Sequence, residues 1–307
     1  MSYINLAISH VMHKDIRQVL HHRKLAHKVR HLHGSALGSL GFCTRWAVDV
    51  HGFGREWIDV AQINLPLRGL PHGLLGTRIA HISDLHYSRT VTGRYLRRCI
   101  DRINSLDVDI VVLTGDYITY DIQGKFREKV VALLARIRSR LGVFACLGNH
   151  DYGLRTLPAR RRGFLLHRLV RGMKAAGVTV LRNESMSLKV NGHALWLVGL
   201  GDLTVGDFHP HKAFANVPSD QITIVLVHNP HGAEYLGAFP AHAVVTGHTH
   251  GRRRRFCPIC APGMRGTCFH AGMHDVGAKK LYVNRGLGRV GRPRLNARPE
   301  IGVFTLC

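Results

Sequence analysis

The sequence predicts an α/β layered fold. Two observations lead there. From about residue 54 onward, short apolar runs of strand length alternate with segments of helical periodicity. Nearly every apolar run is followed at once by Asp, His or Asn, as expected where strands end at a site in an open α/β sheet. Composition agrees: 307 residues with 45% hydrophobic and 20% charged residues can bury a sizeable core.

The expected strands, in order, are "RIAHIS" (78–83), "VDIVVLTG" (108–115), "GVFACLG" (142–148), "ALWLVGLG" (194–201), "ITIVLVH" (222–228) and "HAVVTG" (242–247). Their unbroken apolar character suits strands buried on both faces. Amphipathic helices are expected at "RYLRRCIDRINSL" (94–106), "KFREKVVALLARIRSRL" (125–141) and "RRGFLLHRLVRGMKAAG" (161–177). The last shows a basic face, read as an ordinary packed helix or as a cap facing a membrane. "YVNRGLG" reads as a strand entering a turn near the substrate.

Residues 1–53 form a separate block, rich in His, Lys and Arg and poor in acids, and 54–307 form the folded domain. The spacing of Ile16, Val19, Leu20, Leu25 and Val29 is roughly helical with a basic opposite face. Such an arm is either solvated or lies on an anionic membrane surface. No apolar core of signal-peptide type and no run of about 18 apolar residues occurs. The seven cysteines show no disulfide framework. The chain is therefore expected in the cytoplasm, with peripheral contact at the inner face of the cell membrane as an option. No obligate protein partner is expected.

With 43 Lys+Arg against 19 Asp+Glu, the net charge is +24. That charge favours an anionic phosphorylated substrate, a lipid-linked one, an anionic membrane or nucleic acid. Genomic bias is the alternative reading of part of the abundance of Arg and of the 23 histidines.

The chemistry lies in the loops after the strands. "HISDLHYS" supplies Asp84 and His86, "LTGDYIT" supplies Asp116, and "CLGNHDYG" supplies Asn149, His150 and Asp151. "VLVHNPHG" supplies His228, and "VVTGHTHG" supplies His248 and His250. A pair two residues apart on extended chain points the same way and can chelate one ion. Carboxylate, imidazole and amide without thiolate favour Mn, Fe or Zn. Seven such ligands suit two divalent metal ions sharing a carboxylate, a standard device for attack on phosphorus.

The blocks Asp84-Leu85-His86, Gly115-Asp116, Gly148-Asn149-His150-Asp151, His228 and Gly247-His248-Thr249-His250 stand in order, and with them the chain resembles the calcineurin-like metallophosphoesterases. The resemblance implies a four-layer αββα sandwich: two mixed β-sheets flanked by helices. It implies one metal on Asp84, His86, Asp116 and His250, and another on Asp116, Asn149, His228 and His248. It also implies that His150 protonates the leaving oxygen or stabilises the transition state, oriented by Asp151. Further stretches, including "AAGVTVLRNES" and "LWLVGLGDLTVGD", resemble a bacterial membrane-associated subgroup that includes UDP-2,3-diacylglucosamine pyrophosphatases. A UDP-linked lipid is the substrate this implies. The alternatives are a nucleotide phosphodiesterase or nuclease, and a non-catalytic scaffold on the same fold.

Arg252, Arg253, Arg254 and Arg255 stand where subgroup members usually carry Gly and Gln. They are either phosphate-binding residues at the site's mouth or a solvated loop. Asn284 and Arg285 match a subgroup motif and are further substrate-binding candidates. Cys257, Cys260, Cys268 and His270 form either a short structural zinc site or free side chains.

Overall fold

Central strands without a polar face can only be buried on both sides, and the computed structural model, which describes residues 58–121, 123–153, 159–251, 269–289 and 297–307, places them so. The basic arm, Arg252 to Arg255, and the three cysteines of the zinc candidate fall outside these residues. Among the described residues, two six-stranded mixed sheets form.

The first sheet runs β1 (Asp59–Leu65), β12 (Glu300–Leu306), β2 (Arg78–Ile82), β3 (Ile110–Thr114), β4 (Val143–Cys146) and β5 (Val178–Val180). The second runs β10 (Gly272–Val276), β11 (Lys279–Val283), β9 (Ala243–Thr246), β8 (Thr223–Leu226), β7 (His193–Gly199) and β6 (Glu184–Val190). Strands β2 to β5 are mutually parallel, and so are β7, β8, β9 and β11. Parallel order brings the carboxyl ends of neighbouring strands to one edge of each sheet.

The period of two then sorts the side chains. Ile79, Ile110, Val112 and Phe144 of the first sheet share one apolar core with Leu195, Leu197, Ile224 and Val245 of the second. Their neighbours Ala80, Val111 and Leu113 face the other way, toward Ile100, Leu133 and Leu169 of the helices α1 (Gly93–Asn104), α2 (Lys125–Leu134) and α3 (Ala159–Ala175). A third core covers the outer face of the second sheet. There Val225, Val227 and Val244 meet Ala213, Phe214 and Leu236, from the short helix α4 (Pro210–Ala213) and the 3-10 turn Pro230–Leu236. The layers are thus helix, sheet, sheet, helix.

Helix α1 begins at Thr92, whose hydroxyl accepts from the Tyr95 amide at 3.4 Å. Helix α2 stops at Leu134, short of the expected residue 141. Asn104 explains the difference: its side chain donates to Arg136 O at 2.8 Å and accepts from the Arg138 amide at 2.9 Å. Those backbone groups are thereby drawn out of helical pairing.

Candidate metal centre

Asp84 and His86 follow β2, Asp116 follows β3, and Asn149 to Asp151 follow β4. His228 follows β8, and His248 and His250 follow β9. Five of these residues adopt a left-handed backbone: Asp84 (φ 52°), His86 (φ 47°), Asp116 (φ 56°), His248 (φ 69°) and His250 (φ 54°). Only eight non-glycine residues with positive φ occur among the described residues, so the strain is concentrated at this cluster.

Glycines let the loops approach one another. A Cβ on Gly148 would lie 2.3 Å from Asp116 Oδ1. On Gly247 it would lie 1.9 Å from Ser83 Oγ and 2.3 Å from Asp84 Oδ2.

The two carboxylates divide their oxygens. Asp84 Oδ2 accepts from Ser83 Oγ at 2.6 Å and from the His248 amide at 2.9 Å. Its Oδ1 is buried with no hydrogen-bond partner, 3.5 Å from His86 Nε2 and 3.4 Å from His250 Nε2. Asp116 Oδ1 accepts from the His150 amide at 2.9 Å. Its Oδ2 lies 3.5 Å from His86 Nε2 on one side and 3.2 Å from His228 Nε2 on the other.

The imidazoles are oriented from behind. His228 Nδ1 lies 2.7 Å from Thr114 O, and His150 Nδ1 lies 2.9 Å from Thr119 O. A carbonyl only accepts, so both Nδ1 atoms carry the proton and both Nε2 atoms are turned to the site. Two pairs of ring nitrogens, His86 with His250 and His228 with His248, stand 3.1 Å apart. The buried Asn149 Oδ1 also has no partner.

Burial alone would raise the Asp84 carboxyl, but His250, His86 and His228 outweigh it and hold it well below the usual range. Burial would lower His228, but Asp116, Asp84 and Asp202 raise it well above its ordinary value. Burial and the neighbouring His228 bring His248 down to about 4. Burial and Asp116 push Asp151 up to about 7, opposed by backbone hydrogen bonds from Gly148 and Tyr117.

This donor set fits divalent cations. The ligand atoms of Asp84, His86 and His250 lie within 4.8 Å of one another, as do those of His86, Asp116 and His150, and those of Asp116, His228 and His248. An orphaned carboxylate oxygen, an orphaned amide oxygen and facing imidazole nitrogens are groups that a divalent cation satisfies together.

The calcineurin-like phosphoesterase family model matches residues 77–252, which is more than half of the chain and contains every candidate ligand. The chain belongs to the calcineurin-like phosphoesterase family. It is a metal-dependent hydrolase of phosphoester or pyrophosphate bonds, and members of the family use a dinuclear divalent metal centre. This phosphoesterase is 33% identical over 254 residues to the metallophosphoesterase YkuE of Bacillus subtilis, covering 81% of this chain and 85% of that one. It is 32% identical over 232 residues to the phosphodiesterase YaeI of Escherichia coli, covering 75% and 82%. It is 30% identical over 291 residues to the UDP-2,3-diacylglucosamine pyrophosphatase LpxG of Chlamydia trachomatis, covering 80% and 88%.

The phosphoesterase treats the remaining candidates differently. Asn284 corrects its expectation: it is fully buried, its amide donates to His81 O at 3.1 Å, and its oxygen accepts from the Gly286 amide at 2.6 Å. It shapes a turn and does not face a solute. Arg285 is likewise engaged in the fold, donating from Nε to Glu300 at 2.6 Å and pairing with Asp59. His270 is half-buried, and its carbonyl accepts from His274 Nε2 at 2.7 Å.

Sequence reasoning passed over Ser83, whose hydroxyl orients Asp84, and Tyr120. Tyr120 is exposed at the rim with its ring 5.7 Å from that of His150. A serine or tyrosine beside a ligand carries no spacing signal of its own.

Proposed function

We propose that seven side chains hold two divalent ions, with Asp84, His86, Asp116 and His250 at one and Asp116, Asn149, His228 and His248 at the other. The observation that carries this reading is Asp116 Oδ2, which stands between His86 Nε2 at 3.5 Å and His228 Nε2 at 3.2 Å. One carboxylate oxygen thus serves both groups. The hard and borderline donor set favours Mn, Fe or Zn.

Ions bound there lower the pKa of water and neutralise charge on phosphoryl oxygens. The chain's own residues do the rest. His150 commits its Nδ1–H to Thr119 O, so Nε2 is the ring atom that, when the ring carries a second proton, passes it to the leaving oxygen and returns to the neutral imidazole. Asp151 acts beneath His150: it accepts from the amides of Asp116, Tyr117 and Gly148, each at 2.9 Å, and so clasps the loops after β3 and β4 together. Arg252 to Arg255 follow His250 closely in the chain and are assigned to a second phosphate of the substrate.

The substrate proposed is a UDP-linked lipid such as UDP-2,3-diacylglucosamine, cleaved at the pyrophosphate. Its support is the relative LpxG and the net charge of +24. Among the described residues no helix is long and apolar enough to cross a membrane. A basic, peripheral enzyme at the inner face of the cell membrane suits such a substrate.

The test is UMP release from UDP-2,3-diacylglucosamine with Mn2+, comparing wild type with His150→Ala and Asp116→Ala. Release by the wild type alone supports the proposal. Cleavage of bis-p-nitrophenyl phosphate without UMP release moves the substrate to nucleotides or nucleic acid, a second reading that the basic charge favours. Wild type and Asp116→Ala equally inactive on both compounds would leave only a scaffold.

A further inference from the structure

One buried acid near the centre has no role in the mechanism above. Asp202 lies three residues beyond the end of β7, in the loop "GLGDLT". Strand β7 pairs with β8, Gly199 opposite Leu226, and the Leu200 amide continues the ladder to Leu226 O at 2.9 Å. His228 is two residues past Leu226, so the Asp202 and His228 loops leave adjacent strand ends.

They are also tied together. Asp202 Oδ1 accepts from the amides of Thr204 at 2.9 Å and Val205 at 3.2 Å. Asn229, the residue after His228, donates from Nδ2 to Thr204 Oγ1 at 3.2 Å. Asp202 is fully buried, and its Oδ2 has no hydrogen-bond partner.

A buried carboxylate with one bare oxygen is costly unless a positive charge faces it. Asp116, within electrostatic range, makes the cost greater. Asp116 Oδ2 lies 3.2 Å from His228 Nε2, and the Asp202 loop leaves the neighbouring strand end and is bonded to Asn229. Asp202 belongs to none of the three groups of mutually close ligand atoms. Its loop leaves the strand end beside that of His228.

We propose that Asp202 is a positioning carboxylate of the second metal subsite, stabilising the ion on Asp116, Asn149, His228 and His248 by charge from the outer layer. The inference rests on the two-ion reading above. Carboxylates in this layer typically contribute 10- to 100-fold in metal affinity.

Mn2+ binding is measured by calorimetry on chelator-stripped full-length protein, wild type beside Asp202→Asn, with thermal melts in chelator and in Mn2+. Asn keeps an oxygen for the Thr204 and Val205 amides, so the turn persists. Expected is a second ion weakened about 10- to 100-fold in Asp202→Asn with the first unchanged. The metal-free melting temperature is expected to rise, because a neutral amide replaces a bare buried charge. Two ions bound by the variant with wild-type affinities, or a lowered metal-free melting temperature, overturn the inference alone. Fewer than two ions on the wild type overturn the two-ion reading and the inference with it.

Discussion

Replacing Asp151 by Asn removes a charge without changing shape, and its cost follows from three bonds. Oδ2 accepts from the Asp116 and Gly148 amides and Oδ1 from the Tyr117 amide, all at 2.9 Å and all buried. In the best rotamer the Asn oxygen keeps the two-bond position, and its NH2 faces the Tyr117 N–H. That leaves a buried donor unsatisfied, at about 1–3 kcal/mol. The ionic assistance lost from the two surviving bonds is offset by relief of a buried charge, since burial and Asp116 push the carboxyl up to about 7. The expected loss is therefore roughly 1–3 kcal/mol, against the 5–15 kcal/mol typical of a folded domain. The assay is urea unfolding in chelator, so that bound metal does not mask the loss. The midpoint should fall with the m-value unchanged. Because the same bonds fix Asp116 and the loop that leads to His150, kcat/KM should also fall, by about the 100-fold that an ångström of misplacement can cost. A loss below 1 kcal/mol would refute the idea that Asp151 clasps the two loops.

His81 offers a pH test. Burial brings its pKa down to about 3 from an unfolded value of 6.5, so below pH 6.5 the unfolded chain takes up a proton that the folded one refuses. Stability from this group is complete above pH 6.5 and should fall by about 1.4 kcal/mol per pH unit toward pH 4. Urea midpoints at pH 7, 6 and 5 should show a shallower slope in His81→Phe, and parallel slopes sink the prediction. Gly247→Ala places a methyl against Ser83 and Asp84 and should cost about 1–3 kcal/mol and most of the activity. The added change Ser83→Gly should recover part of the stability in thermal melts. Arg285→Ala strips the partner from the buried Glu300 and should cost roughly 3 kcal/mol. KM should stay near wild type in steady-state assays, whereas a KM raised tenfold would return Arg285 to the substrate.

Strands β3, β4, β8 and β9 were legible because parallel strands buried on both faces read as unbroken apolar runs. The edge hairpin β6–β7 was half legible: β7 is apolar, whereas β6, "ESMSLKV", is largely wet. β12 was hidden for another reason. It enters antiparallel to β2 and parallel to β1 from more than 200 residues away, and pairing at that distance leaves no local pattern. The candidate ligands were legible because each follows a strand at short spacing. Asn284 misled because a residue near a site and a residue facing it look alike in sequence. Asp202 was equally silent, since Gly-Asp after a strand is usually just a turn.

The five left-handed candidate ligands set stability against catalysis. Each non-glycine residue held at such a φ costs about 1 kcal/mol or more, and glycine would relieve most of it. Substitution of His248 or His250 by Gly should thus favour the metal-free fold while deleting a donor, whereas Gly at Asp84 or Asp116 would also strip the acceptors of the His248 and His150 amides, and Gly at the fully buried His86 would leave a cavity. A library selected for heat resistance in the presence of a chelator would drift toward glycine at His248 and His250, and its survivors would be sturdy and inert. The same library grown under selection for turnover would keep them fixed.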